Sequence, residues 1–419
     1  MLKINRRKLL EGTVAVSALT AIGRPAMAAD PIVIGVPAAQ SGPVGVADHQ
    51  DWVNGVTLAV EQINAAGGIG GRMIETKVVD YDILTPEGTV AAFQSLTESN
   101  VHAIATAFAL IPQPAMDAAA AVNVPFLHGT TQIASLDIFK TDPKKYRNSF
   151  MIDSAEGFYG TGFIKFLSNL KASGKWTPKN NKVHIVQGQL AYNQVISKAA
   201  QEAIAASGGE WELAGITDIQ YPVQDWSPVV RQMKELDAGV IMVDYWVAAE
   251  YAAFTQTFAA DPVNGSLVYM QYGPSQPEFL ELAGESADGF IWGTVLGTLA
   301  DEKGAAFRAA YQERFPGLMG MVYTGSGYDT VQMLAEAWRN VDPSDFDAVG
   351  GFIRGMKYRG VCGTYTFSSE TQNPISYPNQ TDDPEAGLTH LIFQVQDQQH
   401  KIISPSPFIE VDFQPARWM

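Results

Sequence analysis

The stretch INAAGGIGGRMIE, Ile63 to Glu75, places four glycines within five positions. Whether it cradles a phosphate or turns the chain depends on its flanks. A phosphate-binding glycine loop follows a strand and opens a helix, so that free helix N-terminal amides meet the anion. Here the order is reversed. Upstream, Asp48 to Ala66 sets Trp52, Val56, Ala59 and Ile63 on one helical face, at i, i+4, i+7 and i+11. Downstream, ETKVVDYD (75–82) reads as a strand. The spacing matches neither G-x-G-x-x-G nor G-x-x-x-x-G-K-[ST]. The glycines are therefore helix C-cap and turn residues that supply positive φ.

Working outward, IVIGV (32–36) is a buried-strand run, and QSGPVG (40–45) joins it to the helix. That loop leaves the carboxyl end of a strand, where ligands of open α/β sheets bind. The rhythm continues with a helix from Pro86, strand HAIATAF (102–108), helix Pro114 to Val122 and strand VPFLHGTT (124–131). A second series starts after Ser154. It runs through a helix to Leu170, strand KVHIVQG (182–188), helix Tyr192 to Ser207 and strand ITDIQYP (216–222). Helix Ser227 to Leu236, strand AGVIMVDYW (238–246), helix Ala248 to Phe258 and strand SLVYMQY (266–272) complete it. Two such series predict an α/β protein of two doubly wound lobes, each a parallel sheet with helices on both faces. Ser368 to Gly387, rich in Asn, Pro and Asp, reads as a long polar surface loop.

The first 28 residues are set aside as a signal peptide. Arg6-Arg7 precedes an uncharged run from Gly12 to Ile22, and Ala26-Met27-Ala28 supplies a small-x-small cleavage site. About eleven apolar residues cannot span a ~30 Å hydrocarbon core, so this is not read as an anchor. The leader carries +4, so removing it from a net −16 leaves −20 for the exported chain. Such a surface disfavours nucleic acid and anionic lipid, and no stable membrane insertion is expected. The single cysteine, Cys362, excludes an intrachain disulfide and multi-cysteine metal sites, and is expected in the core.

The run IVIGV…SGPVG…NGVTLAVEQINAAGGIGGRMIE…DYD resembles the opening of periplasmic binding proteins of the branched-chain amino acid (Leu/Ile/Val) type. QDWSPVVRQMKELDAGVIMV (224–243) and TGSGYDTVQMLAEAW (324–338) agree, and QVQDQQHKIISPSPF (394–408) is more like the amide- and urea-binding branch. The resemblance implies a type I fold with a three-crossover hinge, crossing near Met151, near Val295 and within 366–387. Lobe 1 is then 29–151 plus 296–367 and lobe 2 is 152–295 plus 388–405. A surface loop spans 368–387 and a C-terminal extension 406–419. It also implies a small-molecule ligand, an ABC-type permease of the inner membrane as partner, a periplasmic location after cleavage near Ala28/Ala29, and no cofactor or metal.

Binding residues follow from the resemblance position by position. Gln40, Ser41 and Gly42 match a loop that lines the cleft with backbone amides. Where the family commonly places a serine for the amino-acid carboxylate, this chain has Ala107-Phe108-Ala109-Leu110. Phe108 and Ala109 thus line the cleft without a hydroxyl. Thr130 and Thr131 match a hydroxyl-bearing turn, Tyr192 an aromatic of the second lobe, and Trp246 another tyrosine position. The acid that usually meets the α-ammonium is replaced near Tyr272. Asp244, flanked by Tyr245 and Trp246, either supplies a substitute charge for a cationic or amine ligand or caps the following helix.

Enzymatic readings find little support. G-x-S-x-G, H-E-x-x-H and C-x-x-C are absent and the six histidines are scattered. The Asp80/Asp82 pair is read as strand-end hydrogen bonding rather than acid/base chemistry. A module reporting to a membrane sensor is the alternative function, and a periplasmic hydrolase a distant one.

Overall fold

The computed structural model describes residues 30–419; the signal-peptide reading of 1–28 lies outside them. Five parallel strands form the first sheet: β1 (Ile32–Ala38), β2 (Ile74–Asp80), β3 (Ala103–Thr106), β4 (Phe126–His128) and β5 (Ser149–Met151). Their order is β2-β1-β3-β4-β5. Helices α1 (Val46–Ala65), α2 (Pro86–Thr97), α3 (Pro112–Ala121) and α4 (Ile133–Thr141) connect them. This order reverses direction between β1 and β3, and the crevice outside their carboxyl ends is where such sheets receive ligands.

The second lobe repeats the scheme. After α5 (Gly157–Ala172) come β6 (Lys182–Gly188), α6 (Ala191–Ala206), β7 (Glu212–Ile219), α7 (Ser227–Leu236), β8 (Val240–Asp244), α8 (Ala248–Ala260), β9 (Leu267–Gln271), α9 (Pro277–Ala283) and β10 (Ile291–Thr294). The chain then adds α10 (Glu302–Arg314), α11 (Tyr323–Asn340) and α12 (Phe346–Gly355) to the first lobe. Two small pairs follow, β11 (Lys357–Arg359) with β12 (Thr364–Thr366), and β13 (Ser376–Tyr377) with β14 (Leu388–Thr389). Finally β15 (Leu391–Gln396) and β16 (Gln399–Ser404) join the second sheet, whose order is β16-β15-β10-β9-β8-β6-β7.

Here the structure departs from an all-parallel expectation. β15 runs antiparallel to β10, and β16 antiparallel to β15. The two-residue turn Asp397-Gln398 has φ of 51° and 56°, the primed-turn geometry that only an antiparallel pair can use. Asp-Gln is not the Asn-Gly or Asp-Gly signature of such turns, which is why the sequence hid it. The segment 368–387 is also more than surface loop: Gln372, Asn373 and Ser376 are buried, and Gln372 donates to the Ser149 carbonyl at 2.6 Å.

The glycine run behaves as its flanks predict. Gly67, Gly68, Gly70 and Gly71 have φ of 98°, 72°, 57° and 84°, and the Gly68 amide closes onto the Ile63 carbonyl at 3.0 Å. A Cβ on Gly68 would stand 2.1 Å from the Arg72 carbonyl oxygen. Two other glycines position the site. Cβ atoms on Gly55 and Gly327 would lie 2.0 Å from the Thr324 and 2.5 Å from the Trp52 carbonyl oxygens, so α1 and α11 pack backbone to backbone. That contact brings the start of α11 against the middle of α1.

The chain passes between the sheets after Met151, after Thr294, and again between Thr366 and Leu391. These passages meet at Ser154, whose hydroxyl lies 2.6 Å from that of Ser376 and 3.4 Å from the Val295 carbonyl. Such a bundle of element-terminal residues is the usual form of a hinge. Among the described residues no helix is long and apolar enough to cross a membrane. Cys362 is a free, fully buried thiol.

Candidate functional site

The carboxyl ends of both sheets face each other across the hinge, and the described geometry is closed. Asp48, in the first turn of α1, crosses from the first lobe to the second. Its carboxylate accepts from the Tyr272 hydroxyl at 2.5 Å and from Gln276 Nε2 at 3.0 Å. Nearby, the Met321 amide of the first lobe donates to the Ser275 carbonyl of the second at 3.0 Å. The turn after β9 is thereby stitched to the first lobe. Tyr272 holds φ at 52°, an unusual conformation for a non-glycine residue and one that persists only where surrounding contacts enforce it.

Aromatic rings gather around this crossing. The Tyr323 ring, at the start of α11, lies 6.2 Å from Tyr272 and 5.5 Å from Phe108. Phe108 lies in turn 4.5 Å from the His49 imidazole. His49 is fully buried without a hydrogen-bond partner, and burial lowers its pKa to about 3, so it is neutral. On the hinge side, Asp153 accepts from Thr131 Oγ1 at 2.5 Å and from the Ser154 amide at 2.6 Å. Burial raises the Tyr323 phenol well above its usual value, and the charges of Asp153 and Asp48 add to that shift. Burial is the main influence on each acid: it pushes Asp48 up to about 6 and Asp153 up to about 7. Glu156, pushed up to about 7 by burial, accepts the Ile133 amide at 2.6 Å and so caps α4.

The second lobe contributes Tyr192 at the start of α6, whose hydroxyl accepts from Gln271 Nε2 at 3.0 Å. Trp246, two residues past the end of β8, is half-buried, with its ring 5.4 Å from Tyr221 and 4.7 Å from Tyr245.

The sequence-predicted residues divide accordingly. Phe108, Thr131 and Tyr272 come together in the interlobe cluster, and Tyr192 lies on its second-lobe side. Gln40, Ser41 and Gly42 are exposed, and the amides expected to face a ligand are spent: those of Gln40 and Ser41 donate to Asp80 Oδ1 at 2.8 and 3.2 Å. The Ser41 hydroxyl adds a bond to Asp80 Oδ2 at 2.6 Å, and these bonds hold the Asp80 pKa down. Asp82 accepts the Leu84 amide at 2.9 Å, so both acids of the pair do strand-end work. The Ala109 amide donates to the Thr130 hydroxyl at 2.9 Å, which makes that pair a brace between neighbouring loops. Asp244 lies fully buried with Oδ1 accepting from Asn193 at 2.7 Å, and no side chain caps the N-terminus of α8 that follows it.

Sequence reasoning missed Asp48, Asp153, Tyr323 and Gln271. An acid in the first turn of a helix reads as ordinary helix-dipole matching, and nothing local reveals that Asp48 faces another lobe. Tyr323 directly precedes the run TGSGYDTVQMLAEAW (324–338), and nothing in its local sequence marks it as a cleft residue.

Fold and cleft can now be set beside known proteins. A family model described as "Periplasmic binding protein" matches residues 31–377. The chain belongs to the periplasmic binding protein family. No curated protein matches the sequence. Among solved structures, this binding protein is similar to a putative branched-chain amino acid ABC transporter from Silicibacter pomeroyi, at 33% identity and TM-score 0.86, over 93% of this chain and 100% of that one. More distant structures share the fold. One is the branched-chain amino acid transporter substrate-binding protein LivJ from Streptococcus pneumoniae in complex with isoleucine (20% identity, TM-score 0.71, 90% and 100% covered). Another is a solute-binding protein from R. palustris in complex with benzoate (15% identity, TM-score 0.69, 93% and 99% covered). The periplasmic binding protein described here is thus a solute-binding component of an ABC transporter.

Proposed function

We propose that this binding protein closes its two lobes on a small polar organic compound, an amino acid or a related amide, amine or aromatic compound, and delivers it to an inner-membrane permease. The observation that carries this reading is the closed interlobe cluster, in which Asp48 of one lobe meets Tyr272 and Gln276 of the other. The relatives bound to isoleucine and benzoate support a small organic ligand. In this reading lobe 1 is 29–151 plus 296–367, lobe 2 is 152–295 plus 388–405, and Thr131, Phe108, Tyr192, Trp246 and Tyr272 line the cleft. The protein binds without a cofactor and does not catalyse.

The test is a thermal-shift screen of amino acids, amides, urea, aromatic acids and amines. A true ligand raises the melting temperature by mass action on the closed state, about 2.7 kcal/mol at a hundredfold excess over Kd. It should be recovered chemically unchanged; turnover of a bound compound would overturn the reading. The export proposal has its own check. Arg6-Arg7 and Ala26-Met27-Ala28 predict an exported protein that begins near Ala29, and N-terminal sequencing that still finds Met1 would reject it.

A further inference from the structure

Two short pieces of chain meet across the lobes, and each is braced by contacts inside its own lobe. On the second-lobe side the turn 272–276 is held by its backbone. The Tyr272 amide donates to the Gly293 carbonyl at 3.1 Å, and the Ser275 amide to the Tyr272 carbonyl at 2.8 Å. Gly273 packs so closely on Tyr251 that a Cβ there would stand 2.4 Å from Tyr251 Cδ2. On the first-lobe side, α1 and the segment before α11 are joined. A Cβ on Gly320 would stand 1.8 Å from Asp51 Oδ2, one turn along α1 from Asp48. The Thr298 amide donates to the Met321 carbonyl at 3.3 Å. Asp48 and the Met321 amide are thereby fixed on one surface, and Tyr272, Gln276 and the Ser275 carbonyl on the other. Groups set in place before they meet lose little freedom on meeting.

The bonds between the two pieces exist only when the lobes are together. The Tyr272 hydroxyl donates to Asp48 Oδ1 at 2.5 Å, and Gln276 Nε2 lies 3.0 and 3.2 Å from the two carboxylate oxygens. Asp48 and Tyr272 are each 8% exposed, so closure strips water from the carboxylate. A carboxylate that loses water without gaining donors is costly. Burial accordingly pushes Asp48 up to about 6, and its bonds to Tyr272 and Gln276 pull it back down. The φ of 52° at Tyr272 belongs to the same turn, and backbone strain of this kind is held where surrounding contacts over-determine the conformation.

We infer that Asp48, Tyr272 and Gln276 form a latch that sets the balance between open and closed protein. The Tyr272 hydroxyl and the Gln276 side-chain amide are the donors that allow Asp48 to be buried, so the lobes close in the register that brings all three together. The inference rests on the binding reading above and deepens it. These are positioning residues: loosening the latch lowers apparent affinity by the fraction of closed protein that is lost.

Amide exchange resolved to single residues reads that balance, because the Met321 amide is bonded to the Ser275 carbonyl across the lobes at 3.0 Å and is released on opening. The full exported chain is compared without ligand, after unfolding and refolding to remove bound solute. The pH is held well above about 6, where Asp48 is ionised in the closed form. Tyr272→Phe removes one charged hydrogen bond and should speed Met321 exchange by about tenfold or more. Gln276→Glu sets a second carboxylate against Asp48 only when the lobes close, so it should act in the same direction; Gln276 is half-buried, and this arm stands even if Tyr272→Phe folds poorly. Both variants should show a larger radius of gyration in X-ray scattering. The Thr298 amide, bonded on the first-lobe side of the same loop, should exchange at the parent's rate. In an Asp48→Asn background the Tyr272→Phe step should shrink, since the two changes act on one bond. Met321 exchange at the parent's rate in both variants overturns the latch, as does equal acceleration at Thr298, which would mark fraying of the loop. A Tyr272→Phe step of undiminished size in the Asp48→Asn background overturns the role of Asp48. No ligand enters these measurements, so an unaltered Met321 removes the latch and leaves the binding reading standing. A protein that no compound of the thermal-shift screen stabilises loses that reading instead, whatever the exchange rates.

Discussion

Trp418→Ala is expected to lower the stability of the folded protein by about 3–5 kcal/mol, the range for removing a buried tryptophan. The C-terminal extension is built into the second lobe. The Trp418 ring is 5% exposed and packs 5.3 Å from Phe258 and 4.8 Å from Phe290, two rings that also pack on Phe254. Its indole nitrogen donates to the Ser266 carbonyl at 2.9 Å, and its own carbonyl accepts from Gly265 at 2.7 Å. Ser266 begins the turn into β9, whose far end carries Gln271 and leads to Tyr272. Trp418→Phe retains most of the apolar contact and gives up the indole hydrogen bond, so about 1 kcal/mol of loss is expected there. Denaturant unfolding of the three proteins, compared at equal m-value, separates the two contributions. A Trp418→Ala protein within 1 kcal/mol of the parent would show that the tail is an appendage, not part of the core.

The periodic parts of this chain were readable because their physics is local. Trp52, Val56, Ala59 and Ile63 repeat at helical spacing because one face of α1 is buried, and all four are buried. β8 and β9 are buried along their whole length, so VIMVD and LVYMQ read as continuous apolar strands. The glycines at 67–71 were interpretable from order alone, since a helix must stop before a strand starts. What stayed hidden was set by tertiary contact. β15 and β16 turn on two residues outside the usual hairpin code. The tail at 406–419 contains few periodic positions, and its burial depends on Phe258 and Phe290, well over a hundred residues away.

The site was legible in outline and not in its chemistry. Strand order places ligand contacts at the carboxyl ends of the strands, and Phe108, Thr131, Tyr192 and Tyr272 are found there. The resemblance also located the amides of Gln40 and Ser41, but whether an amide is free depends on its partner. Asp80, 39 and 40 positions further along, occupies both. Asp48 belongs to the same class of omission. Its meaning comes from Tyr272 and Gln276, more than two hundred residues downstream.

Those spent donors bear on specificity. Leucine-type amino acids should bind this protein weakly, with affinity about 10²–10⁴ below that of the true ligand. An α-amino acid needs donors for its carboxylate, and apart from the Thr130 hydroxyl proton the donors at the matched positions are otherwise engaged. Ala107, Phe108 and Ala109 carry no hydroxyl, and the Ala109 amide is taken by Thr130. Thr131 donates to Asp153, so a carboxylate arriving there would meet a buried acid in place of a free hydroxyl. Each charged hydrogen bond forgone costs about 1.5–3 kcal/mol, and two of them correspond to the stated range at ~1.4 kcal/mol per tenfold. Calorimetry with leucine and isoleucine measures this directly. The amine analogue isopentylamine, which keeps the branched chain and the ammonium but lacks the carboxylate, is the decisive comparison. It should bind more tightly than leucine, because removing the carboxylate removes both the unmet demand for donors and the repulsion from Asp153 and Asp48. Submicromolar leucine binding, with isopentylamine weaker, would mean that donors for a carboxylate become available when ligand enters, and that Asp80 and Thr130 release theirs.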